Sequence, residues 1–457
     1  MDRDRIEKDG LPATCRHGSI KVLSKLKPAE LLLKSTLARN TGWMLLGQGL
    51  KLVIQALYFT VIARSLGASK YGAFVGVVGL VGILSPFASL GSGYLLIKNV
   101  ARDQNQFRQN WGRALSTTFL SSSSLFGVVV LLSYFVLPAT IPIRLVMFVA
   151  ASDLFGMSIT GICGQAFLAF DLLKWTASIN VLLSACRLAA AVILAGLYHS
   201  PSALQWGGFY FGSTSVVALA ALVLVLVKLG APTFSSSRTS AEAREGLYFS
   251  VSLSAQTIYN DIDKTMLARL GTLEATGIYG AAYRLIDVSF APVSALLAAA
   301  YPSFFRVGMS GISGTLQYAK PLILRGLGYA TFVGVALLAG AGLVPYILGS
   351  EYRLTEEALR WLAILPMFKV LHFFLSDALA GAGHQALRTC IHVGVAVFNV
   401  LINLWIIPAY SWRGAAWSSI ASDALLACAI GAAALVLARR SRTQTMETEA
   451  FEVRAEA

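Results

Sequence analysis

A chain of 457 residues that is 56% hydrophobic and only 13% charged is poor in charge beside soluble domains, which average about 25%. Apolar runs of about 20 residues, enough to cross a bilayer core of about 30 Å, recur along its whole length. Composition therefore excludes an ordinary soluble protein and predicts a polytopic all-α membrane protein. The net charge of +14 does not mark a nucleic-acid binder, because Lys and Arg gather in the ends and short loops, as on the cytoplasmic side of a membrane protein.

Residues 1–35 read as a partly disordered cytoplasmic tail, with no apolar core or cleavage site of a signal peptide. Within it, SIKVLSKLKPAELLLKS reads either as a membrane-surface segment or as solvated chain. About twelve spans follow, near 41–63, 72–97, 113–137, 143–169, 175–198, 205–228, 247–269, 274–301, 322–348, 358–381, 387–409 and 413–438. They divide into an N-terminal six-helix bundle (36–228), a cytoplasmic linker (229–246), a C-terminal six-helix bundle (247–438) and a cytoplasmic tail (439–457). With the N-terminus inside, about 25 of the 37 Lys and Arg are cytoplasmic and about 7 face outward, so both termini are placed in the cytoplasm. The outward loops are too short for a catalytic domain, so no enzyme is expected. The cysteines form no CxxC pair and read as packing residues.

An internal repeat joins the two halves. ARSLGASKYG at 63–72 matches ARLGTLEATGIYG at 268–280, and each precedes a proline, Pro86 or Pro292, by roughly 20 residues. Duplicated halves are a common way to build a transporter around a central site.

The seventh span carries YNDIDKTMLARLG at 259–271. On a helix, Ser250, Ser254, Thr257, Asp261 and Lys264 share one face, with Gln256, Asn260 and Asp263 beside them. The first span repeats the pattern with Gln48, Lys51, Gln55 and Tyr58, and the eighth adds Gly277, Gly280, Arg284 and Asp287. A charge at the bilayer centre costs about 2.5–3.5 kcal/mol on insertion scales. These rows are therefore predicted to face a shared polar lumen or to pair between helices. For Asp261 with Lys264, and for Arg284 with Asp287, simple neutralisation at i,i+3 stands as an equal alternative. Arg187, in the middle of its span, reads as functional. Asp153 and Asp423 read equally as interfacial or functional, and Lys369, Asp377, His372 and His392 are further intramembrane ionisable groups. The histidines lack the spacing of a metal site.

Lys and Arg in a lumen suit an anionic substrate such as phosphate, and carboxylates there suit coupling to a proton or a cation. No GxxxxGK[ST] motif occurs, so no P-loop nucleotide hydrolysis and no cofactor are expected.

ARNTGWMLLGQGLKLVIQALYFTVIARSLGASKYGAF, PFASLGSGYLLIKNVAR and DIDKTMLARLGTLEATGIYGAAYRLID resemble the starts of the two halves of bacterial polysaccharide-repeat (Wzx-type) flippases, members of the multidrug/oligosaccharidyl-lipid/polysaccharide exporter superfamily. The resemblance covers roughly residues 35–438. It implies two six-helix bundles around a cationic cavity in the inner membrane. It also implies flipping of undecaprenyl-pyrophosphate-linked oligosaccharide for O-antigen or exopolysaccharide assembly, with a polymerase and a chain-length regulator as possible partners. Lys51, Lys264, Arg284 and Arg187 are the positions that fill the cationic role here. Asp261, Asp263 and Asp287 are the lumen carboxylates, and Gln48, Gln55, Gln256 and Asn260 the lumen amides. The competing readings are an ion-coupled exporter of small organic molecules on the same fold and a membrane glycan polymerase or ligase.

Overall fold

The computed structural model describes residues 36–170, 172–234 and 240–456; the side chains of 36–46, of 442–456 and of a few positions between, Gln256 among them, lie outside this description. The expected tail 1–35 and most of the SSSRTS run lie outside it as well. Among the described residues there are helices and turns and no strand. In lipid this follows from the need to satisfy every backbone N–H and C=O within the segment.

The helices are α1 (Thr36–Leu84), α2 (Ser92–Arg102), α3 (Phe107–Val136), α4 (Ile143–Leu168), α5 (Leu173–Leu197) and α6 (Ala203–Leu229) in the first half. The second half holds α7 (Ser240–Leu270), α8 (Leu273–Gly308), α9 (Gly311–Gly340), α10 (Arg353–Leu362), α11 (Leu365–Gly381) and α12 (Gln385–Glu456). Local chemistry marks several ends. Ser202 and Gln205 form a capping box at the start of α6, satisfying N–H groups the helix cannot use itself. Thr272 caps α8, accepting from the Ala275 N–H at 3.0 Å. Pro86 sits in a short 3₁₀ turn after α1, whereas Pro292 lies inside a continuous α8.

The span count differs from the twelve expected. Among the described residues eight helices are long and apolar enough to cross a membrane, or nine if α10 and α11, bent by 47°, form one span. Two of the eight are runs of double length. Gly47–Val100 has 54 residues, about 81 Å if straight, far longer than a bilayer core. It turns at Gly67, where φ is 74° and ψ is 170°, a conformation open to glycine and strained for other residues. The run from Gln385 to Ser441 likewise breaks at Ser411, three residues after Pro408. Helix α7 is not among the eight. The expected polar tail at 439–457 continues α12 as helix to Glu456.

The turns that open the two halves pack against each other. A methyl group added to Gly72 would lie 1.7 Å from the Leu273 carbonyl oxygen, and one added to Gly277 would lie 1.9 Å from that of Ala68. Only hydrogen fits at either place. Past these turns, α7 runs along the second limb of α1, with Gly76 facing Ala268, Gly79 facing Thr265 and Gly82 near Thr257. Small residues let helices approach closely where no hydrophobic effect drives them together.

A third contact holds the same end. Glu351, just before α10, accepts a hydrogen bond from the Ala68 N–H at 2.9 Å. Its neighbour Tyr352, fully buried, donates to the Ala63 carbonyl at 3.0 Å. Arg64 returns a longer bond to the Ile347 carbonyl at 3.5 Å. The two halves are thus clasped where α1 turns.

Candidate functional site

Between the halves lies a cavity of about 390 Å³. Its charged lining comprises Lys51 from α1, Arg187 from α5, Asp261 and Lys264 from α7, and Arg284 and Asp287 from α8, with Gln55, Tyr58, Tyr71, Asn180 and Tyr210 among its polar neighbours. Four cations and two carboxylates from four helices therefore meet in one space.

Each cation is held differently. Arg187 lies over the ring of Tyr210, 4.1 Å from its centroid. It also donates to the Thr214 hydroxyl at 3.3 Å and stands 3.8 Å from the Asp153 carboxylate. Tyr210 donates its own hydroxyl to that carboxylate at 2.9 Å. Asp153 sits in a π-helical stretch of α4, Ala151–Met157; such widened turns often mark functional positions. Lys264 is paired with Asp261, bonds to the Asn260 carbonyl at 3.3 Å and lies 4.3 Å from the ring centroid of Tyr283. The other face of the system belongs to Lys369 of α11, 4.6 Å from the same ring and 3.7 Å from the Asp287 carboxylate. Two lysines thus share one aromatic ring, and each keeps a carboxylate at the cavity wall. Ring quadrupoles stabilise such cations.

Arg284 and Lys51 complete the set without a carboxylate. Arg284 donates to Gln55 at 3.4 Å. Among the described residues neither Arg284 nor Lys51 has an acidic side chain within ion-pair distance. They are the unneutralised positive charge of the cavity.

The site expected from the sequence is therefore assembled in part. Lys51, Lys264, Arg284, Arg187, Asp261, Asp287 and Gln55 line one cavity. Asp263 does not. It is 1% exposed and accepts from Tyr279 and, at 2.9 Å, from Ser419 of α12, because it stands about 200° around the helix from Asp261. Gln48 is exposed and outside the lining, and Asn260 contributes its backbone carbonyl. Gln256 lies outside the described residues. Of the two neutralisations held open as alternatives, Asp261 and Lys264 do pair, whereas the groups of α8 bond across helices, Arg284 to Gln55 and Asp287 to Lys369. Asp153 lies in the interior, facing Arg187. Sequence reasoning missed the partner roles of Asp153, Lys369, Tyr210 and Tyr283. Their one signal was an ionisable or phenolic group in an apolar span, which names no partner when that partner is on another helix.

The family of polysaccharide biosynthesis proteins matches residues 37–307. The chain belongs to this family. No protein of curated function matches it. Solved structures show the fold that this polysaccharide biosynthesis protein shares. An inward-facing multidrug resistance MATE transporter of the MOP superfamily superposes with a TM-score of 0.70 at 13% identity, covering 87% of this chain and 96% of its own. The lipid II flippase MurJ, in an inward closed conformation, gives 0.68 at 9% identity, covering 85% and 86%. A MOP superfamily transporter from Pyrococcus furiosus, described as having a binding pocket of reverse polarity, gives 0.62 at 14%, covering 90% and 98%. The family and the fold together make the chain a multi-pass membrane protein with the architecture of MOP transporters.

Proposed function

We propose that this protein flips undecaprenyl-pyrophosphate-linked oligosaccharide repeat units across the inner membrane, by alternating access, for O-antigen or exopolysaccharide assembly. The observation that carries this reading is the pair of unneutralised cations, Lys51 and Arg284, in a cavity between two clasped halves. Arg284 offers a diphosphate a planar fork of donors, and Lys51 a compact charge. The amides and tyrosines of the wall suit sugar hydroxyls. The lipid tail stays in the bilayer, between the halves.

Helix geometry supports a graded passage. At a rise of about 1.5 Å per residue, Lys264 lies about 9 Å from the turn between α7 and α8, Arg284 about 18 Å from it, and Lys51 about 24 Å from the break at Gly67. The diphosphate then finds a cation at each depth. Asp261 and Asp287 hold Lys264 and Lys369 until the anion competes for them. The breaks at Gly67 and Ser411 support a reading in which α1 and α12 each cross twice, α10 and α11 form one span and α7 is counted, which would make twelve spans in two bundles of six. The Lys and Arg bias then places both termini in the cytoplasm and the clasp of Glu351 outside, so the cavity opens inward. A polymerase and a chain-length regulator are the partners that would receive the product. Surplus positive charge speaks against an exporter of organic cations.

The test is deletion of the gene in its host, with lipid-linked oligosaccharide quantified by leaflet alongside surface polymer. Complete repeat units stranded on the cytoplasmic face, with surface polymer lost, are the expected result. Complete units reaching the outer leaflet but left unpolymerised would mean a polymerase or ligase. Unchanged pools would mean a small-molecule exporter.

A further inference from the structure

Behind the cavity wall, the second half holds a second group of ionisable residues that the substrate reading does not use. His372 of α11 and Asp423 of the last limb of α12 face each other, with Nε2 and Oδ1 3.1 Å apart. Their side chains are 0% and 1% exposed. Among the described residues no hydrogen-bond donor reaches either oxygen of Asp423 with good geometry, and His372 is its ion-pair partner. Among the described residues no third His, Cys, Asp or Glu joins them as in a metal site.

A carboxylate buried this deeply is costly as a bare charge. One proton, on the imidazole or on the carboxyl, makes the pair tolerable. Removing that proton leaves a negative charge in the protein interior, and the nearest cation on the same helix is Lys369, one turn away. Lys369 is also the partner of Asp287 at the cavity wall. The groups around the pair are therefore Lys369 and Asp377 on α11, Asp287 on α8, and Arg388 and His392 on the first limb of α12. Lys320 and Arg325 of α9 are exposed. Toward the far end of α11, Ser376 meets His392 at 3.2 Å and Asp377 meets Arg388 at 3.8 Å. Polar groups thus run from the cavity to the loop after α11. Chains of Asp, His and similar groups inside membranes commonly carry protons.

We propose that His372 and Asp423 form a proton-binding site linked to the anion cavity through Lys369 and Asp287. This rests on the anionic substrate reading and names the ion that acts with it. With the proton bound, Lys369 stays at the wall and the cavity keeps its positive charge. When the proton leaves, Lys369 is drawn inward, Asp287 is left bare, and the cavity holds a diphosphate less tightly. Linkage is reciprocal, so binding of the anion draws a proton onto the pair.

The test uses the full chain in detergent micelles, with wild type, Asp423→Asn and His372→Asn compared. Asn keeps the shape of Asp423 and, at position 372, a polar but non-titrating side chain, and Lys369→Met tests the link without touching the pair. Infrared difference spectra between about pH 5 and pH 8, the range in which an ordinary imidazole titrates, report protonation directly. Binding of farnesyl diphosphate, measured over the same range, reports the link. The expected result is a protonation band lost in Asp423→Asn. Affinity for farnesyl diphosphate should fall several-fold from low to high pH in the wild type and stay flat in all three variants. Pyrophosphate-lipid binding with the same pH dependence in every variant would overturn the proton link and leave the substrate reading standing. A band that depends on Asp423, in a wild type that binds no farnesyl diphosphate, would support the proton site and sink the substrate reading. A band unchanged in Asp423→Asn and His372→Asn would overturn the site itself.

Discussion

Lys51 and Arg284 stand in the cavity wall with no carboxylate to answer them among the described residues, and this sets what their loss should do. A hydrogen bond to a charged partner contributes about 1.5–3 kcal/mol, or about tenfold to a hundredfold in affinity. Replacing either residue with Ala is expected to weaken binding of a lipid diphosphate by that factor and to abolish restoration of surface polymer in a deletion host. Arg284→Lys should keep part of the activity, since the charge survives and the fork does not. Full activity of both Ala variants would remove them from the site. Arg187 should behave differently, because Asp153 and Tyr210 hold it in place. Asp153→Ala leaves a guanidinium facing a protein wall, a loss of about 3–5 kcal/mol for a fully buried pair. The lower end is expected here, since the two side chains are 13% and 12% exposed, and thermal melting of purified protein would show it. The double variant with Arg187→Ala should melt above the sum of the two single losses, since neither charge is then stranded. The cavity-lining face of 51, 55 and 58 was legible in the sequence because spacing defines a face, but the same spacing wrongly drew in Gln48, which is exposed. Lys369 was legible only as an oddity, because its partner Asp287 is 82 positions away on another helix. Asp263 was misread for a related reason: periodicity groups it with polar neighbours but does not say that α12 covers it.

At the scale of elements, the clasp between Glu351 and the turn of α1 is the contact that opening toward that end must break. Glu351→Ala removes the acceptor for the Ala68 N–H and is expected to favour the open form. A cysteine at Val78, which lines the cavity, in a chain freed of its five native cysteines, would report this. Labelling by a membrane-impermeant maleimide from outside should speed up several-fold in the Glu351→Ala background. Equal rates would mean that the clasp does not limit access. Gly67 was visible as a turn residue between two apolar spans. The grip of Glu351 upon it was not, since GSEYRLTEE reads as a short loop and gives no hint of which turn it touches.

For the molecule as a whole, orientation is the property on which the reading depends. A single cysteine at Ser350 should react with an impermeant reagent in intact cells. One at His384, in the loop after α11, should react only after permeabilisation. The reverse pattern would turn the cavity outward and undo the inward-opening mechanism. Apolar length made the all-helical, multi-pass character legible in the sequence, while the long runs that the structure shows across Gly67 and Ser411 came from helices that abut with almost no loop.

The close seating of Gly72 on Leu273 and of Gly277 on Ala68 carries a consequence for how such a chain can change over time. Each turn is the mould for the other. A mutation that adds a side chain to one turn is excluded not by its own helix but by the backbone opposite, and no second substitution restores the room, because a main chain cannot be made smaller. If the two halves arose from one ancestral half, their membrane-facing surfaces were free to diverge independently, while these two turns remained bound to each other.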